Sequence, residues 1–282
     1  MKTIRNTIMS IKNHIDDPEI IVVDDNSNDD TVMIINDIGV DRLVRSRVHS
    51  GGPNKGRNIG LDIMTGDAFC FLDHDDEVMP TFNSLTNHLD GVAFGGFFLI
   101  DRNMILRCES MSNDKVIELN KYEFFKRILS RNKSDFLFPN PSSMLIDKKY
   151  RKIKFEEIFG CCDYDYLIRL FHNVSDVKKI DTPVVKKYTQ SASLSLKEDF
   201  RLKDYHYSNY VLHKYEDQYP KEVNLARKRL TGTLARYFYC KNDMVRARYY
   251  FKRSLSFKTF LYYLSTFGGS EFVQKKFKVM GS

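Results

Sequence analysis

Long apolar runs are missing from this chain of 282 residues. Its longest apolar segment, Val92 to Ile100, is far too short to cross a bilayer, and no N-terminal secretory segment is recognisable. The five cysteines are an odd number without the spacing of metal ligands, so they argue against a disulfide framework and suit a reducing compartment. We therefore expect a cytoplasmic protein, either free or peripheral at the inner face of a membrane.

The common phosphate-binding signatures are also missing. The sequence holds neither G-x-G-x-x-G nor G-K-[ST], which excludes the dinucleotide fingerprint and the Walker loop. What it does hold is 42% hydrophobic and 29% charged residues, the composition of a folded globular protein. The length allows one or two domains with a sizeable core.

Charge divides the chain into two zones. From Lys186 onward there are 20 Lys/Arg and 8 Asp/Glu, a net charge of +12, whereas the preceding residues carry 24 and 29, a net charge of −5. The back zone is also helical in pattern from about Asp199. We predict an α/β domain over residues 1–195, with a mostly parallel sheet, and a basic helical region over residues 196–282.

The strongest local signal is Asp73-His-Asp75-Asp76, directly after the apolar strand Ala68 to Leu72. Two carboxylates held two residues apart can share a divalent ion with a diphosphate, which offsets the charge that develops when a nucleotide diphosphate leaves. The alternative is a solvated acidic turn. Its place at the end of a buried strand favours the metal–diphosphate interpretation.

A second acidic pair, Asp24-Asp25, follows the strand Glu19 to Val23. A carboxylate at this position can accept hydrogen bonds from a uracil N–H or a ribose hydroxyl. The alternative is capping of the next helix by Asn26, Ser27 or Asp29.

Two further segments could contribute to the same site. The loop Gly52 to Gly56, followed by Arg57-Asn58, allows a ligand close to the backbone and an anion at the helix N-terminus. Asp163, at the start of a predicted helix, could take a proton from an acceptor hydroxyl. Its alternative role is that of an N-cap.

In this order, the segments resemble a family 2 glycosyltransferase of the glycosyltransferase A fold. The residues that carry the resemblance are Glu19 to Thr31, Gly56 to Gly60, Gly66 to Asp76 and Cys162 to Arg169, within a match from about Thr3 to Val185. The resemblance implies a hexosyl- or pentosyltransferase with a nucleotide-sugar donor, a UDP-sugar in the first instance, with Mn²⁺ or Mg²⁺ and inversion at the anomeric carbon. The acceptor hydroxyl would belong to a saccharide or a lipid-linked glycan.

The resemblance also implies roles for individual residues. They are Asp24 and Asp25 as nucleoside contacts, Arg57 and Asn58 as donor-pocket residues, Asp73 and Asp75 as the metal–diphosphate residues, and Asp163 as general base. A non-catalytic module that binds nucleotide sugars or nucleic acid is the alternative function.

The chain departs from the family pattern in three places. Members usually open with an apolar strand that lies mid-sheet, whereas this sequence begins in the helix Thr3 to Ile15. Either the start is truncated, another segment fills the gap, or donor binding is altered. Cys162 stands where an acidic residue commonly precedes the base, and Tyr188 to Ser193 lacks the histidine that many members place beside the metal.

Three interpretations remain for the basic zone, where Lys and Arg alternate with Tyr and Phe, as in Arg246 to Arg253 and Lys275 to Lys278. It could be a helical cap with solvated charges. It could attach to an anionic membrane surface that presents a lipid-linked acceptor. It could bind nucleic acid, with a modified base in DNA as the acceptor.

Overall fold

The computed structural model describes residues 2–101, 104–110, 114–158, 162–189 and 197–268. Two compact units are present. The first comprises Met1–Phe125 and Lys133–Gln190, and the second comprises Lys126–Asn132 and Ser191–Ser282. The domain boundary predicted at residues 195/196 and the basic segment Lys275 to Lys278 lie outside the described residues.

Strands and helices alternate through the first part of the chain. In order, they are α1 (Lys2–His14), β1 (Ile21–Asp24), α2 (Thr31–Ile38), β2 (Arg42–Arg45), α3 (Asn54–Ile63), β3 (Ala68–Phe69), β4 (Glu77–Val78), β5 (Val92–Asp101), β6 (Met104–Cys108), β7 (Val116–Glu118), α4 (Lys121–Leu129), β8 (Met144–Asp147), α5 (Cys162–Asn173) and β9 (Val177–Tyr188). Short 3₁₀ helices span Pro80–His88, Ser134–Phe136, Pro141–Ser143 and Lys148–Tyr150.

The strands β1 and β2 form a parallel pair of their own, joined by α2 as a β-α-β unit. The isoleucines of α1, α2 and the segment before β1 make a common buried cluster of Ile4, Ile8, Ile20 and Ile35. Because these side chains recur at helical spacing in α1, that helix packs one apolar face against the pair. The pair thereby holds Asp24 at its carboxyl end.

The larger sheet has seven strands in the order β3-β8-β5-β9-β4, with β6 beside β5 and β7 beside β9. Within it β5 and β9 are parallel, whereas the other described pairs are antiparallel. The predicted α/β fold is confirmed, but the sheet is mixed rather than mostly parallel. Short connections such as the β5–β6 hairpin allow only antiparallel pairing, since a parallel pair needs a long crossover.

The described strands form two separate sheets. β3 is the terminal strand of the larger sheet, and β1 pairs only with β2. Among the described residues no strand joins the two sheets.

The second unit contains the helices α6 (Glu198–His213), α7 (Pro220–Cys240), α8 (Met244–Arg253) and α9 (Phe257–Ser265). This confirms the predicted helical C-terminal region. Its core is a cluster from α7 and α8, formed by Leu234, Ala235, Tyr237, Phe238, Tyr239, Ala247 and Phe251. None of the helices in the described ranges has the length and apolar character to cross a membrane.

Candidate active site

Arg57, in the first turn of α3, lies at the centre of the candidate site. Its guanidinium carbon lies 5.0 Å from the ring centroid of Phe155 and 5.8 Å from that of Phe71. Tyr166 stacks on Phe155 with a centroid distance of 4.0 Å, so the rings support one another. Aromatic faces attract a planar cation, and these rings fix where the guanidinium points.

The Arg57 guanidinium joins two carboxylates that come from different parts of the chain. Its Nη1 donates to Asp163 Oδ1 at 2.7 Å, and its Nη2 donates to Asp73 Oδ1 at 3.0 Å. The pKa of Arg57 is raised, because the two carboxylates outweigh the effect of burial. Three residues predicted from separate motifs thus meet at one point.

The turn that carries Asp73 is closed by its own backbone and braced by α1. The backbone N–H of Asp76 donates to the carbonyl of Asp73 at 3.0 Å, and the Thr7 hydroxyl donates to the carbonyl of His74 at 2.8 Å. Burial would raise the pKa of Asp73, but Arg57 and Lys187 outweigh it and hold that pKa below its ordinary value. Asp73 is therefore a carboxylate held in its charged form by two cations.

Lys187 and Asp76 form an ion pair beside this turn that the sequence analysis missed. Lys187 Nζ donates to Asp76 Oδ2 and lies 3.8 Å from Asp73 Oδ2, while the Ser142 hydroxyl donates to Asp76 at 2.8 Å. Burial raises the pKa of Asp76 to about 6, even though Lys187 opposes the shift. The carboxylates in turn raise the pKa of Lys187 against the effect of its burial.

The pairing of β4 with β9 places Lys187 there. Glu77 is the register partner of Lys186, so the acidic turn before β4 lies against the last residues of β9. The strand β9 continues past Val185 to Tyr188 and therefore carries Lys187 near its carboxyl end. Lys187 reaches the site because β4 pairs with β9, and the order of residues along the sequence does not reveal which strands pair.

Asn58 holds the backbone that presents Phe155. Its amide nitrogen donates to the Phe155 carbonyl at 2.9 Å, and its amide oxygen accepts from the Phe155 N–H at 2.8 Å. A third hydrogen bond, at 3.0 Å, reaches Glu157. The Asn58 side-chain amide is thus occupied by hydrogen bonds within the protein.

Asp24 and Asp25 lie in a different environment. Asp24, with 1% of its side chain exposed, accepts from the Ser27 N–H at 3.2 Å and lies 3.2 Å from Arg45 Nε. Asp25, 30% exposed, accepts from the N–H and the hydroxyl of Ser50, both at 2.9 Å. Among the described residues, no hydrogen bond or ion pair links either carboxylate to Arg57. Asp29, one residue before the N-cap Asp30 of α2, accepts from the N–H of Thr31, whereas the Asp30 side chain makes no capping hydrogen bond.

A divalent ion would find carboxylate oxygens on the acidic turn. No group of three His, Cys, Asp or Glu side chains is gathered as a metal site in the described ranges. Asp75 forms no hydrogen bond or ion pair with a described residue, so its oxygens are available. Mg²⁺ is commonly held by one or two carboxylates together with substrate phosphates and water, and this donor set fits such an arrangement.

The sequence of this chain matches a known protein family. The model of glycosyl transferase family 2 matches residues 1–154, more than half of the chain. The chain belongs to glycosyl transferase family 2. All the site residues named above from α3 and the acidic turn lie inside that match, whereas Asp163 and Lys187 lie beyond it.

One curated relative of this family 2 chain is a GalNAc(5)-diNAcBac-PP-undecaprenol beta-1,3-glucosyltransferase of Campylobacter jejuni. It is 29% identical over an alignment of 168 positions, which covers 56% of this chain and 52% of the relative. The chain therefore matches about half the length of that relative.

Solved structures of TarS from S. aureus have the same fold as this family 2 chain. The complex of TarS 1-349 with UDP-GlcNAc has a TM-score of 0.60 at 16% identity and covers 90% of this chain and 78% of its own. The complex with UDP has a TM-score of 0.59 at 16% identity, covering 85% and 68%. These likenesses confirm the predicted glycosyltransferase A fold.

Proposed function

We propose that this family 2 chain transfers a sugar from a UDP-sugar to a hydroxyl of a lipid-linked glycan. The observation that supports this most is Arg57, which joins Asp73 and Asp163 in one site. The donor class is supported by the fold's likeness to TarS, which was crystallised with UDP and with UDP-GlcNAc. The acceptor class is supported by the Campylobacter jejuni relative, a glucosyltransferase that acts on an undecaprenol-linked glycan.

Asp163 is the general base of this proposal. Its side chain is 47% exposed, so an incoming hydroxyl can reach the carboxylate. The acceptor oxygen attacks the anomeric carbon, the bond from that carbon to the diphosphate oxygen breaks, and Asp163 takes the hydroxyl proton. UDP leaves with the bonding electrons. In-line attack from the side opposite the diphosphate inverts the anomeric carbon.

Cations around the acidic turn would stabilise the departing diphosphate. Arg57 and Lys187 already lie against Asp73 and can exchange part of that interaction for phosphate oxygens. We infer that Asp75, with Asp73 as the second carboxylate, would hold Mn²⁺ or Mg²⁺, which would supply further positive charge. Asn58 acts through Phe155, because its own amide is occupied.

Asp25 is the better candidate for contact with the nucleoside than Asp24. The Asp25 carboxylate is partly exposed, so it can accept a hydrogen bond from a ribose or a base. Asp24 is almost fully buried, and its contacts with Ser27 and Arg45 shape the loop instead.

The test is Asp163→Asn, assayed with a panel of UDP-sugars and Mn²⁺. Loss of the base should lower the transfer rate by about 10²–10⁴-fold. UDP affinity measured by calorimetry should stay within a few-fold of that of the unaltered protein, because Asp163 does not hold the nucleotide. Asp90→Asn, an exposed carboxylate outside the site, is the matched control. Undiminished transfer by Asp163→Asn would contradict the mechanism.

A further inference from the structure

Helix α9 of the second unit exposes most of its large apolar side chains. Its inward side holds hydroxyl residues, since Thr259 and Thr266 are buried. Its large apolar side chains point outward, with exposed fractions between 45% and 82%; they are Phe257, Phe260, Leu261, Leu264 and, just beyond the helix, Phe267. This spacing places all five on one stripe of the helix surface.

The orientation of α9 is fixed by contacts on its inner side. Ser256 and Thr259 form a reciprocal capping box at the N-terminus. Near the other end, the Tyr239 hydroxyl and the Ser265 hydroxyl lie 2.9 Å apart, and the ring of Tyr262 stacks on Phe251 with a centroid distance of 5.7 Å. The apolar stripe therefore faces outward because of the way the helix is anchored.

Basic side chains of α8 lie beside exposed aromatic rings of this region. Residues 244–268 contain five Lys/Arg and no Asp or Glu, and of these five Arg246 is paired with Asp243 and Glu198 outside this segment. Arg248 lies with its guanidinium carbon 4.8 Å from the centroid of the exposed Phe267 ring, and that of Arg253 lies 3.5 Å from the centroid of Tyr249. Positive charge and exposed apolar surface are thus parts of one patch, which we call the α8–α9 patch.

Charge and chemistry together select the occupant. A second copy would bring two positive patches together, which costs free energy. Nucleic acid would use the cations and rings but leave the aliphatic Leu261 and Leu264 in water. An anionic lipid surface satisfies both parts, because headgroup phosphates pair with Lys and Arg while Phe and Leu enter the boundary with the acyl chains. We propose that the α8–α9 patch docks the protein on an anionic phospholipid membrane.

The test uses the full chain with vesicles of phosphatidylcholine alone and of phosphatidylcholine mixed with phosphatidylglycerol. We expect co-sedimentation with the anionic vesicles to exceed that with the neutral ones by about ten-fold or more, and to weaken as salt is added. The triple variant Phe260→Ser/Leu261→Ser/Leu264→Ser should lose about ten-fold in binding to the anionic vesicles. Met104→Ser/Ile105→Ser, which alters two exposed side chains of the first unit, is the matched control.

Three outcomes would overturn the proposal. They are equal binding to both vesicles, unchanged binding by the triple variant while the control behaves normally, and binding to duplex DNA that the triple variant abolishes while vesicles are ignored. Thermal melting of each variant checks that the fold is kept. UDP-sugar hydrolysis without vesicles should be the same for all of these proteins, so a failure of docking is distinguishable from a failure of the proposed transfer.

Discussion

The two acidic strand ends of this protein look alike in sequence and differ in structure. Asp24 and Asp25 accept from the N–H groups of Ser27 and Ser50, and they also lie beside Arg45 and His49, all within the segments around β1 and β2. Asp73 is held instead by Arg57, which also donates to Asp163. Arg57 and Asp163 are 106 positions apart in the chain. Asp24 and Asp25 are therefore tied to neighbouring loops, whereas the cations at Asp73, Arg57 and Lys187, come from distant segments and can also donate to the phosphates of a substrate.

Arg57→Met should have the largest effect, because it removes the cation that Asp73 and Asp163 share. Two carboxylates would then face each other without the cation between them, and the departing diphosphate would lose a donor. We expect transfer to fall by about 10³-fold and the free energy of unfolding by about 2 kcal/mol, less than for a fully buried pair because both carboxylates are partly exposed.

Single-turnover transfer and urea denaturation measure the two effects. Arg57→Lys should recover stability better than rate, because an ammonium cannot bridge two carboxylates in the way that the planar guanidinium does. Arg5→Met, at an exposed ion pair with Asp37, is the matched control and should change little. If Arg57→Met transferred sugar at the normal rate, Arg57 would have no more than a structural role.

The environments of the two acidic strand ends could be predicted from the sequence only in part. Local patterns located the strand before Asp73, the helix that carries Arg57 and the helix that carries Asp163, because apolar periodicity and glycine placement are written in neighbouring residues. They missed Lys187 and the mixed sheet. Both depend on which strand pairs with which, and the β4–β9 pairing joins residues more than a hundred positions apart.

Asp76 gives the second prediction, because its buried carboxyl has a pKa of about 6 against an ordinary value of 3.8. The folded state then binds a proton more tightly than the unfolded state. The contribution of Asp76 to stability is greatest below about pH 4 and is lost as the pH rises through about 6. We expect a loss of about 3 kcal/mol across this window.

Urea denaturation of the unaltered protein and of Asp76→Asn, at pH 4 and pH 7, checks this. The stability difference between the two proteins should shift in favour of Asp76→Asn at the higher pH, since the amide does not titrate. Subtracting the two proteins removes the opposite contribution of Asp73, whose lowered pKa favours folding at the higher pH. A difference that is constant with pH would show that Lys187 cancels the cost of the buried charge.

The smallest effect is expected at the first acidic strand end, where Asp25 lies. Asp25→Asn keeps an oxygen for the Ser50 N–H but removes the charge, so the loop should stay folded and its stability change by less than about 1 kcal/mol. If the carboxylate contacts the nucleoside, the Kd for UDP should rise by about ten-fold, while transfer at saturating donor stays nearly unchanged. Calorimetry with UDP measures the first quantity and steady-state transfer the second. A large fall in kcat with unaltered UDP affinity would instead show that Asp25 acts in the transfer step, as proposed for Asp73 and Asp163. It would contradict the assignment of Asp25 to nucleoside binding.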